Sequence, residues 1–99
     1  MSDTDKVQDT INSGRRRLIL EILSKYGGAL PLQSLTEAIR ATFHIYVDND
    51  LITDDAGWLA TRDLISRPDQ LSVAITGRGE NVLRGTETVS GVKRPPRIC

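Results

Sequence analysis

The sequence predicts a small α+β domain, mainly helical. Two observations predict it: apolar residues recur at three- and four-residue spacing in three separate stretches, and two short β-prone runs flank a proline-containing turn late in the chain. Ninety-nine residues are enough for one domain with a single small core. They are too few for two halves with a catalytic cleft between them.

Taken in order, Leu18, Ile19, Ile22, Leu23 and Tyr26 put a continuous stripe on one helix face, and Val7 and Ile11 extend that stripe toward the N-terminus. Gly27-Gly28 stops this first helix. Pro31 suits a first helical turn, and Leu32, Leu35, Ile39 and Phe43 recur behind it, which predicts a second helix over 31–42. His44-Ile45-Tyr46-Val47 is β-branched and aromatic and predicts a short strand. Asp48 is placed to cap a third helix over about 49–62, with Ile52, Ala56 and Leu59 turned inward. Leu64 to Arg67, a turn at Pro68-Asp69-Gln70 and Leu71 to Thr76 then predict a β-hairpin. Thr76 caps a last short helix over 78–84. The expected organisation is a partly ordered acidic segment over 1–12 that extends the first helix, a domain over 13–85, and a flexible basic tail over 86–99.

This order (helix, helix, strand, helix, hairpin, short helix) is that of a winged helix-turn-helix, with the third helix as the candidate reader of the major groove and the hairpin as the wing. The run Trp58-Leu59-Ala60-Thr61-Arg62-Asp63-Leu64-Ile65, followed after the hairpin by Ile75-Thr76-Gly77-Arg78-Gly79 and Val82-Leu83, resembles the C-terminal half of ArsR/MarR-type winged-helix regulators. With Asp55-Ala56-Gly57-Trp58-Leu59 and Gly91-Val92-Lys93-Arg94-Pro95, residues 10–97 resemble a family of small proteins of Mu-like phages and prophages, often described as ArsR-like. The resemblance implies a winged-helix fold and a phage or prophage origin.

The formal net charge is zero, thirteen basic residues against thirteen acidic, which excludes a uniformly basic nucleic-acid clamp. The charge is segregated along the chain, however. Residues 1–13 hold Lys6 against Asp3, Asp5 and Asp9 for −2, and residues 14–26 hold Arg15, Arg16, Arg17 and Lys25 against Glu21 for +3. Residues 27–63 carry −4 and residues 64–99 carry +3. Four aromatic residues imply a thin core, within which Trp58 is expected between the first and third helices.

Two functional readings follow. In the first, the chain is a transcription-regulator-like binder of double-stranded DNA, dimeric through its first helix and terminal segments. Asn49 and Thr53 lie on the outer face of the third helix, Arg67 and Gln70 on the wing, and Lys93, Arg94 and Arg97 along a phosphate backbone. In the second, the acidic outer face of the third helix, with Asp50 and Asp54, docks a phage or host protein during assembly or DNA packaging. Carboxylates on the first turns of a groove-reading helix oppose the first reading, since they face a polyanion. Arg15-Arg16-Arg17 spreads around most of a helix circumference and reads as a solvated face, and Asp55 is placed to pair with an arginine of another helix.

Catalysis and metal sensing find no support in the motifs. His44 is the single histidine and Cys99 the single cysteine, so the Cys/His cluster of a metal-sensing regulator is absent and no cofactor is implied. No Gly-x-Ser-x-Gly or phosphate loop accompanies His44, and the expectation is a non-enzymatic protein. The longest apolar run, Leu18-Ile19-Leu20, is far short of a membrane span, and the expected location is the cytoplasm, that of the host for a phage protein.

Overall fold

The computed structural model describes residues 3 to 94. It contains α1 (Asp3–Lys25), β1 (Ala29–Pro31), α2 (Leu32–Phe43), α3 (Asn49–Thr61), β2 (Ile65–Asp69), β3 (Ser72–Ile75) and α4 (Gly77–Arg84). The strands form one antiparallel sheet in the order β1-β3-β2, with Leu30 opposite Val73 and Ser66 opposite Ala74. The register of β2 shifts between Ser66 and Asp69, where Arg67 and Pro68 lie. Pro68 has no N–H to give a ladder, and an edge strand is where that is tolerated.

Local chemistry sets the helix ends. Gly28 (φ 96°) donates its N–H to the Leu23 carbonyl at 2.7 Å, ending α1, and its own carbonyl accepts from Ile75 N at 2.7 Å. The stop signal of α1 is thus also the start of the sheet. Asp48 accepts from Leu51 N at 2.8 Å to cap α3. Thr76 accepts from Gly79 N at 3.1 Å to cap α4 and donates to the Asp63 carbonyl at 2.6 Å. These are the caps the sequence predicts, and each satisfies a backbone donor that helix geometry leaves free.

The core gathers Ile19, Leu20, Ile22 and Leu23 of α1, Leu35 and Ile39 of α2, Ile52, Ala56 and Leu59 of α3, and Val73 of β3, all within 1% of complete burial. Gly79 allows α4 to approach it closely, because a Cβ there would collide with the Leu64 carbonyl and the Ile75 side chain.

Four expectations are revised. Residues 44 to 48 form no strand; they are an irregular link between α2 and α3. Arg40 of α2 donates to the Val47 carbonyl, and both edges of β3 are already paired by β1 and β2. The strand that was not foreseen is β1. The hairpin turn falls at Gln70-Leu71, one step beyond the predicted turn, where Asp69 Oδ1 accepts from Leu71 N at 2.8 Å and closes the bend. Finally, packing does not end at residue 85. Val89 and Val92 are buried at 8% and 6% exposure, and Lys93 N donates to the Ser13 carbonyl, so the stretch after α4 folds back along α1.

Candidate functional site

α3 has two faces with different chemistry. Its inner stripe is Ile52, Asp55, Ala56 and Leu59, all buried. A carboxylate in an apolar stripe requires a cation, because an unpaired buried charge is strongly disfavoured. Arg15 of α1 supplies it: Nε and Nη2 both donate to the Asp55 carboxylate, and Nη2 also reaches Asn12 Oδ1 at 2.8 Å. The pairing of Asp55 with an arginine of another helix is the one expected from the sequence.

Arg16 lies beside this pair, its Nε 3.6 Å from Asp55 Oδ1 and its Nη1 donating to the Gly91 carbonyl at 3.1 Å. Its guanidinium carbon is 4.0 Å from the centroid of Trp58, and that of Arg62 is 4.4 Å from the same ring. Trp58 is therefore half-buried between charged groups rather than enclosed in the core, though it does lie where α1 and α3 meet. Gly91 (φ 96°) covers the ring's edge, and a Cβ at this position would meet the indole at 2.5 Å. Arg17 pairs with Glu21 at 3.0 Å. The arginine run expected as a solvated face is a set of tethers joining α1 to α3 and to the C-terminal segment. The signal that could have revealed this was Asp55 itself, standing at a core position of the α3 stripe.

The outer face of α3 carries Asn49, Asp50 and Asp54, all exposed, and Thr53, whose hydroxyl donates to the Asn49 carbonyl at 2.7 Å. No lysine or arginine occurs anywhere in α3. On the hairpin, Arg67 is exposed and donates to the Gln70 carbonyl at 2.9 Å, and Leu71 at the tip is 74% exposed. Lys93 and Arg94 are exposed but border α1 at Gly14, Leu18 and Glu21, whereas Gln70 borders Pro31, Leu71 and Ser72. The hairpin and tail cations are thus on different elements. Arg97 lies outside the described residues.

Among the described residues, no group of three or more His, Cys, Asp or Glu is placed to hold a metal ion. No helix among them is long and apolar enough to cross a membrane.

Over 92 residues the chain is 29% identical to the uncharacterized protein gp26 of Escherichia phage Mu, a match covering 90% of this chain and 95% of that protein. The chain is similar to a phage protein along nearly its whole length. No family model matches it, and no solved structure does. The sequence motifs and this similarity point to the same Mu-like phage source.

Proposed function

We propose that the chain is a non-enzymatic winged-helix protein of phage or prophage origin that binds duplex DNA in the manner of a transcription regulator. The observation that supports it is the topology: α2, a short link and α3 are followed by a hairpin whose inner strand β3 also pairs with β1. In winged helix-turn-helix proteins this order sets a helix and a hairpin side by side against the duplex. On this reading Asn49 and Thr53 approach base edges, Arg67 and Gln70 contact phosphates beside them, and Lys93 and Arg94 contribute general attraction, all in the cytoplasm of the host. The warrant is one of architecture, and the site chemistry needs its own test.

That test is an anisotropy titration of mixed-sequence duplexes at low and moderate salt. DNA binding predicts an affinity that falls steeply with salt and weakens in Arg67→Ala. A flat titration at low salt overturns the reading.

One observation favours a second reading, in which the same scaffold docks a phage or host protein. The outward face of α3 has exposed Asp50 and Asp54 and no basic residue, so it is suited to a basic partner surface. Asp50→Lys/Asp54→Lys separates the two: DNA binding is retained or strengthened, whereas a protein partner recognised through the carboxylates is lost.

A further inference from the structure

The junction of α1, α3 and the C-terminal segment holds more positive charge than its neighbours answer. Arg15 and Arg16 share the Asp55 carboxylate, and Arg62, just past the end of α3, brings a third guanidinium to the Trp58 ring that Arg16 also covers. Three cations thus gather around one buried anion. Asp9 is exposed nearby and forms no ion pair with any of them. Like charges held this close disfavour one another unless a further anion joins them.

Their hydrogen-bond donors are also incompletely used. Arg16 gives Nη1 to the Gly91 carbonyl, but its Nε is sealed from solvent without a hydrogen-bond partner. Arg62 gives Nη1 to Thr61 Oγ1 at 2.8 Å, and its Nε and Nη2 have no acceptor among the described residues. Both side chains border one cavity of about 490 Å³, which Trp58, Gly91 and the exposed Ser90 also line, with Asp9 on the side toward the start of α1. Its polar walls therefore come from three separate parts of the chain.

A guanidinium's fork of N–H donors matches carboxylate or phosphate oxygens. Phosphate fits this cavity better for two reasons. A phosphoryl group accepts from several directions at once, as donors on different elements require, whereas a carboxylate offers two oxygens in one plane. A monoester also carries close to two negative charges at neutral pH, which answers the two cations that Asp55 leaves over. The cavity has room beyond a phosphoryl group for the body of a small molecule.

We propose that this junction binds a small phosphate monoester, whose phosphoryl oxygens accept from Arg16, Arg62 and the Ser90 hydroxyl. Asp9 then sets selectivity: it accepts from a hydroxyl or amine on the ligand's body and repels a second anionic group. Bound ligand ties α1, the end of α3 and the C-terminal segment together. The site is independent of the DNA-binding reading, since Asn49, Thr53, Arg67 and Gln70 take no part in it.

The test is a titration of the full chain with inorganic phosphate and with glycerol phosphate at constant ionic strength, followed by proton–nitrogen NMR. The indole N–H of Trp58 and the amides of Ser90 and Gly91 are expected to shift saturably, while Arg67 and Gln70 stay in place. Arg62→Gln, a change at an exposed side chain, weakens the affinity about tenfold or more, as expected for losing a charge-assisted hydrogen bond. Asp9→Asn tightens inorganic phosphate severalfold by removing a like charge, and Arg67→Gln changes nothing. Absence of saturable shifts up to roughly 20 mM phosphate overturns the proposal. So does an affinity indifferent to both Arg62→Gln and Asp9→Asn. If a duplex lacking terminal phosphates moves these resonances and the small phosphates do not, the cluster serves a nucleic-acid backbone and the proposal fails.

Discussion

On the side of α3 that faces α1, Asp55 is 3% exposed and held by Arg15, whereas its neighbour Asp54 stands in solvent on the other side. The two carboxylates are adjacent in the chain and opposite in role. One step along a helix rotates a side chain by about 100°, enough to turn a surface charge into a core charge. The inner carboxylate draws arginines toward it: Arg15 by ion pairing and Arg16 close behind, with Arg16 and Arg62 both against the Trp58 ring and the Gly91 carbonyl accepting a hydrogen bond from Arg16. The outer face receives no such compensation. The basic charge that a balanced composition sets against thirteen acids is thus partly taken up inside the fold, and the outer surface of α3 is left acidic.

Removing the centre of the inner cluster is the most severe way to break this contrast. Asp55→Ala strands the Arg15 guanidinium, 9% exposed, and is expected to destabilise the fold by about 3–5 kcal/mol, read as a lowered urea midpoint. A loss well under that range means the guanidinium finds water or another partner. Gly91→Ala attacks the same cluster from the C-terminal side, adding a Cβ against the indole at a left-handed φ; about 1–3 kcal/mol is expected. Thr76→Ala removes the α4 cap away from both faces and should cost about 1 kcal/mol. The outer face supplies the smallest effect: Asp54→Lys, exposed and free of the inner network, should leave the urea midpoint where it was while changing what the surface binds.

The helices were legible because their signals are local. Asp48, Thr76 and Gly27-Gly28 act on backbone groups a few residues away, and each does what its residue type predicts. β1 was not legible because Ala29, Leu30 and Pro31 have no periodicity of their own. They are a strand because β3, more than forty residues later, presents an edge to them. Residues 44 to 47 fail for the converse reason: strand-prone side chains without an edge to join remain irregular. The candidate site divides along the same line. Exposed Asn49, Arg67 and Gln70 could be read from helix phase and hairpin position, but the tethering of Arg15 and Arg16, and the return of Val89 and Val92 to the core, depend on contacts forty or more residues apart in the chain.

The single tryptophan occupies the junction where α1, α3 and the segment around Gly91 converge, with two guanidiniums against its ring. Its emission is therefore a built-in reporter of that junction. Detachment of the C-terminal segment would wet the indole before the distant sheet loses its order, so fluorescence and far-UV dichroism would trace different curves during unfolding. Coincident curves would mean that the junction and the rest of the domain melt as one cooperative unit.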